Sequence, residues 1–223
     1  VSLINGLSMG TTYYARAYAI NATDTAYGNE IVFTTYTLPV VSTASVSSIT
    51  TNTALSGGNV TADGGLSITE RGLCWNGSGN PTVFDNKNTE GTGLGTYPSQ
   101  MNGLSQGTLY YVRAYVINTL DTVYGNELSF TTLDLSNLTT TAATDIHLTS
   151  AILGGNITSD GGSAISQRGV CWSTGSNPTI SDTKTNDGTG TGIFTSNLTG
   201  LTSNTLYYVR AYARNSIGTT YGN

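Results

Sequence analysis

Most of the side chains that enzymes and nucleic-acid-binding proteins rely on are scarce in this sequence. Its 223 residues include a single histidine and two cysteines. With one His, His147, no Ser-His pair can recur and no histidine-based zinc site can form, so hydrolase and metalloenzyme templates find no footing. Charged residues make up only 9% of the chain, with 8 Lys and Arg against 13 Asp and Glu. The resulting net charge of −5 leaves no basic stripe to neutralise phosphates, which excludes nucleic acid as a partner on electrostatic grounds. No run reaches the roughly 18 apolar residues that a helix needs to cross a bilayer, so no membrane insertion is expected in this segment. The first residues, from Val1, have no charged-then-apolar leader pattern.

Thr, Ser, Asn and Gly stand where a cytoplasmic protein carries Lys and Glu, and they are organised by a long internal repeat. An offset of 97 residues superposes the chain on itself without insertion or deletion. Tyr13-Tyr14-Ala15-Arg16-Ala17-Tyr18 returns as Tyr110-Tyr111-Val112-Arg113-Ala114-Tyr115 and again as Tyr207-Tyr208-Val209-Arg210-Ala211-Tyr212. Tyr27-Gly28-Asn29 returns at 124–126 and 221–223, and Arg71-Gly72-Leu73-Cys74-Trp75 returns as Arg168-Gly169-Val170-Cys171-Trp172. This register predicts the C-terminal remnant of a first repeat over 1–36, a complete second repeat over 37–133, and a third over 134–223 that lacks its last strand. Both ends are expected to fall inside a repeat of a longer array.

A 97-residue unit is too long for a solenoid repeat and suits an independent sandwich domain. Its segments are short, rich in Thr, Val, Tyr and Ile, and separated by Gly, Asn, Asp and Ser. Asp63-Gly64-Gly65 and Asp160-Gly161-Gly162 read as turns, and Asn80-Pro81 and Asn177-Pro178 open a second loop. The expected class is therefore all-β: tandem β-sandwich domains.

Leu104, Gly107, Thr108, Tyr110, Val112, Ala114, Val116 and Asn118 resemble the F-strand signature of fibronectin type III domains, and the series repeats from Leu201. The resemblance implies that the tandem β-sandwiches are immunoglobulin-like/fibronectin type III-like. The family's proline between the Leu and the Gly is replaced here by Gln106 and Ser203, and Gly107 becomes Asn204 in the third repeat. More narrowly, the whole unit resembles tandem repeats of secreted and cell-surface proteins of Bacteroidetes-type bacteria. The resemblance rests on the Gly-Gly-Asn strand (57–59, 154–156), the Asp-Gly-Gly turn, the Arg-Gly-x-Cys-Trp strand and the Tyr-Tyr-x-Arg-Ala-Tyr strand. It implies an extracellular, non-enzymatic spacer, stalk or adhesin module whose partners are adjoining domains of a longer chain. Two alternatives stay open: carbohydrate-binding accessory repeats that contact cell-surface glycans, and a filament subunit that contacts identical chains.

Individual residues are read against these roles. Cys74 and Cys171 are expected to be structural free thiols, since neither has a histidine beside it to make a thiolate. Strand alternation turns Leu73 and Trp75 to the core and lays the outward Tyr111 and Tyr115 over Gly72 and Cys74. Trp75, Tyr111, Tyr115, Tyr208 and Tyr212 form the candidate aromatic binding face, which competes with the reading that the rings only cover the small residues beneath them. Tyr110 and Tyr207 are the expected corner tyrosines, each hydroxyl bonding back to the backbone. Duplicated acids argue for turns over a catalytic pair, with no cofactor expected beyond weak calcium ligation by Asp182 and Asp187. Asp24-Thr25-Ala26 and Asp121-Thr122-Val123 resemble an O-glycosylation acceptor of the same bacteria, which makes Thr25 and Thr122 candidate modification sites.

Overall fold

A computed structural model describes residues 2–223, and among them every regular element is a β-strand. The first two ladders are short: β1 (Thr12–Ala15) pairs with β4 (Ile31–Thr34), and β2 (Tyr18–Ile20) pairs with β3 (Thr25–Tyr27). Their residues are mostly exposed, as expected of strands that cover no opposing sheet.

A two-sheet sandwich follows. β5 (Val40–Thr43), β6 (Ala54–Ala62) and β9 (Gly95–Met101) form one sheet in that order. The other sheet runs β11 (Thr122–Tyr124), β10 (Leu109–Ile117), β7 (Glu70–Asn76), β8 (Asn86–Thr89), and β12 (Leu128–Thr131) also pairs with β10. The next sandwich repeats the plan. One sheet is β13 (Asn137–Thr140), β14 (Ser150–Ser159), β17 (Gly192–Thr199), and the other is β16 (Thr183–Lys184), β15 (Gln167–Ser173), β18 (Tyr208–Arg214), β19 (Thr219–Tyr221). Even irregularities recur: the β5–β6 ladder shifts register at Val40/Val41 and the β13–β14 ladder at Asn137/Leu138.

Strand alternation builds the core. Leu73 and Trp75 on β7 and Val112, Ala114 and Val116 on β10 are buried, as are Val170 and Trp172 with Ala211 and Ala213 in the later sandwich. Burying each of the leucine and valine side chains stabilises by about 1.5–3 kcal/mol.

The chain divides into two compact units, one of residues 1–47, 55–101 and 110–129, the other of 48–54, 102–109 and 130–223. Within the second, Leu133 N–H donates to Thr50 C=O (2.9 Å), Gly107 N–H to Leu133 C=O (3.3 Å), and the Gln106 amide to Asp134 Oδ1 (2.7 Å). These bonds group the 48–54 and 102–109 loops with the segment that follows Phe130. The Asp-Gly-Gly turns receive the chain entering each sandwich: Thr37 N–H donates to Gly64 C=O (2.9 Å) and Asp134 N–H to Gly161 C=O (2.7 Å). A Cβ on either glycine would stand 2.1 Å from the carbonyl oxygen of Thr37 or Asp134, and both glycines have positive φ, so this turn admits no side chain.

Candidate functional site

The repeated Tyr-Tyr-x-Arg-Ala-Tyr and Tyr-Gly-Asn motifs meet across the β10–β11 hairpin and its counterparts. Arg16, Arg113 and Arg210 lie over Tyr27, Tyr124 and Tyr221, with 5.0, 4.6 and 4.7 Å from guanidinium carbon to ring centroid. Their Nε–H groups donate to the carbonyls of Gly28, Gly125 and Gly222 at 3.1, 3.1 and 3.0 Å. Each guanidinium is thus held by a cation–π contact and a backbone bond within its own hairpin.

The asparagine that ends the motif fastens the first strand of the sandwich. Thr43 N–H donates to Asn126 Oδ1 (3.0 Å), and the Thr43 hydroxyl donates to Asn126 C=O (2.5 Å) while its own oxygen, Oγ1, accepts Ala114 N–H (3.0 Å). Thr140 repeats two of these bonds, to Asn223 and from Ala211. Sequence reasoning missed Thr43 and Thr140, although their recurrence at the 97-residue offset was there to mark them.

The second arginine motif clamps a loop. Arg71 donates to the carbonyls of Glu90, Gly93 and Leu94, and Arg168 to those of Asp187, Gly190 and Thr191. They also lie over Tyr97 and Phe194 at 4.8 and 5.2 Å.

Both cysteines are free and fully buried. Their thiols donate to the carbonyls of Pro81 and Pro178 (3.4 Å each) and approach those of Arg113 and Arg210 (3.5 Å). This corrects the expected cover, because Cys74 faces Arg113 across the ladder while Tyr115 faces Gly72, and the sulfur is capped by the Asn-Pro loop. Burial pushes the Cys74 thiol up to about 12 and Cys171 to about 11, far from the thiolate range that nucleophiles need.

The candidate aromatic face does not assemble as a platform. Trp75 is 6% exposed and Tyr115 and Tyr212 are fully buried, because the tyrosine hydroxyls reach polar groups under the sheet edge. Tyr115 Oη donates to Glu70 Oε1 (2.6 Å) and Asn88 C=O (3.0 Å), and Tyr212 Oη to Thr185 C=O (2.6 Å). Burial raises both phenols, Tyr212 to about 12. Of the five residues of that candidate face, Tyr111, half-buried, and Tyr208, 42% exposed, keep surface that a sugar ring could stack on.

Tyr207 Oη accepts the Thr202 N–H (3.1 Å) and Tyr13 Oη the Ser8 N–H (2.8 Å), the corner geometry at a five-residue spacing. Tyr110 is half-buried at the equivalent place. The repeated acids are engaged locally. Asp85 and Asp182 accept the N–H groups of Thr82 and Thr179 (2.8 Å each), which holds Asp85 below the usual carboxylate range. Asp187 accepts the hydroxyls of Thr185 (2.7 Å) and Ser196. Among the described residues no three His, Cys, Asp or Glu side chains gather as a metal would require. His147 is exposed, and Thr25 and Thr122 are half-buried at the start of hairpin strands, their N–H groups bonded to the preceding aspartates.

The strand order and sheet pairing define the class: all-β, with consecutive two-sheet β-sandwiches built on one plan. No family model matches the chain, and no curated protein does. Among solved structures, the FN1-FN3 domains of chicken CNTN1 are similar, aligning over 97% of this chain and 76% of that one at 13% identity and a TM-score of 0.34. No helix among the described residues is long and apolar enough to cross a membrane.

Proposed function

We propose that these repeats are a non-catalytic, extracellular spacer of tandem sandwiches, which holds adjoining domains of a longer protein away from the surface to which it is attached. One observation carries the reading. The polar residues Arg71, Arg113 and Asn126, and their third-repeat counterparts Arg168, Arg210 and Asn223, are each bound to backbone carbonyls or amides of their own sandwich. Residues repeated for ligand chemistry would instead converge on an open surface. A low-charge, Thr- and Ser-rich exterior suits a spacer that does not attract polyions. Thr25 and Thr122 are the proposed acceptors of O-linked sugar, which would protect the hairpins from proteolysis.

Affinity electrophoresis against a panel of soluble polysaccharides tests the reading. The spacer migrates unretarded and releases no reducing ends. Retardation that Tyr111→Ala and Tyr208→Ala abolish would replace it with a carbohydrate-binding accessory role.

A further inference from the structure

The two sandwiches end their three-stranded sheets on equivalent strands, β9 in one and β17 in the other. Neither is paired on its outer side, and the N–H and C=O groups there form a template for a further strand. Which residues present them follows from the bonds of β14. Thr141 N–H donates to Gly154 C=O (3.0 Å), and Thr144 and Ile152 exchange N–H···O=C bonds (2.7 and 3.0 Å), so Gly154 and Ile152 turn their backbone groups away from β17. Their ladder partners, Thr195 and Asn197, therefore turn theirs to the open side, as do Ile193 and Thr199 at the next positions of the same parity. All four side chains are exposed, Ile193 at 76%.

The second sandwich blunts this edge. Pro98 stands where the third repeat has Thr195, beside Gly57 as Thr195 is beside Gly154, and it has no N–H to offer at an outward position. Asn88 Nδ2 donates to the carbonyl of the next outward residue, Gln100 (2.5 Å). The third repeat lacks both devices. Thr195 restores the donor, and Thr185, in the place of Asn88, turns its hydroxyl to Asp187 and Ser196. Because β9 and β17 are outer strands alike, the difference between the edges lies in these side chains.

We propose that the β17 edge pairs with the β17 edge of a second copy of this chain, antiparallel and about a two-fold axis at Ser196. Centred there, the pairing sets Ile193 opposite Thr199 and Thr195 opposite Asn197. It uses all four outward residues in mutual N–H···O=C pairs and joins two three-stranded sheets into one. The occupant follows from the strand's own composition. From Gly192 to Thr199 there is no Asp, Glu, Lys or Arg, so the edge meets its copy without like charges, although the chain carries −5 overall. The outward row also reads alike from both ends, with a β-branched residue at each and hydrogen-bonding side chains between. Both copies use the same patch, so the contact is isologous and closes at a dimer.

Sedimentation velocity across a concentration series reads the dimer, and amide hydrogen exchange reads its place. The 23.2 kDa chain should double in mass as concentration rises, with the amides of Ile193, Thr195, Asn197 and Thr199 gaining protection in step. Thr195→Pro, which copies the second repeat, should abolish both, while Thr195→Val, which keeps the N–H, should dimerise like the unmodified chain. A chain with Thr195→Lys and Asn197→Lys and another with Thr195→Glu and Asn197→Glu should each stay monomeric alone and form a heterodimer when mixed, a result that misfolding of either cannot produce. A monomer of the unmodified chain at every concentration overturns the proposal. So does a dimer that survives Thr195→Pro or leaves the four amides unprotected.

Discussion

The second and third repeats carry the same strand frame around Tyr115 and Tyr212 but fill it with different chemistry. In the second, Glu70 pairs with Lys87 (2.7 Å) and accepts the Tyr115 hydroxyl, while Tyr97 sends its hydroxyl across the sandwich to Gly72 C=O (2.9 Å). In the third, Gln167 replaces Glu70 and Phe194 replaces Tyr97, and the carboxylate moves to Asp187, which accepts the Thr185 and Ser196 hydroxyls. The backbone geometry survives the exchange because the buried tyrosine reaches a carbonyl in both, Asn88 in one and Thr185 in the other. The fold therefore demands a satisfied phenol and a glycine beneath it, and leaves the placing of charge free.

The glycine is the sharpest point of comparison. A Cβ at Gly72 would stand 1.8 Å from Asn88 O, whereas at Gly169 the nearest atom, Thr185 O, is 2.5 Å away. Both are backbone clashes, so Gly72→Ala should cost about 3 kcal/mol and Gly169→Ala less, the overpacking range. Each sandwich has its own tryptophan, and urea unfolding followed by fluorescence in Trp172→Phe or Trp75→Phe backgrounds reads them separately. Equal losses would mean that the two edges yield alike.

Thr43→Val should follow at about 2 kcal/mol, because it leaves the buried Ala114 N–H without an acceptor. Thr140→Val should cost less, since Thr140 is half-exposed and water can replace the lost bond. Tyr97→Phe, which turns the second repeat toward the third, removes a neutral hydrogen bond to Gly72 and should cost about 1 kcal/mol. The reverse change, Phe194→Tyr, should recover part of that if the hydroxyl reaches Gly169.

These contrasts also show what a linear reading reaches. The 97-residue register, the strand alternation around Leu73 and Val112 and the corner spacing before Tyr207 are local patterns, so they are legible in the order of residues alone. The cap over Cys74 is not, because it depends on how the Asn80-Pro81 loop folds back on the sheet. Nor is the burial of Tyr115: alternation turns it away from the core, and the edge formed by Glu70 with Lys87, Asn88 and Thr89 of β8 covers it. Tyr115 and Tyr212 read as part of an open aromatic face because period-two patterning distinguishes the sides of a sheet but not whether a side is covered. The arginine clamps are hidden for a related reason, since their partners are carbonyls, which no sequence pattern records.

The smallest expected effect isolates charge. Hydrogen bonds from Lys87 and Tyr115 hold the Glu70 carboxyl below its ordinary range. A depressed folded pKa contributes stability that is fully present above the unfolded value, near pH 4.3, and is lost as pH falls through the folded one. Glu70→Gln should therefore destabilise the second repeat at pH 7 by less than about 1 kcal/mol, as befits a part-exposed pair that solvent screens, and by nothing once Glu70 is protonated in both states. The third repeat supplies the control. Gln167→Glu should gain no matching stability, because Lys184 is already bonded to the Ile180 carbonyl (2.6 Å) and must leave it to reach a new carboxylate. A gain equal to the loss at Glu70 would show that the lysine moves freely and that charge placement in the two repeats is interchangeable.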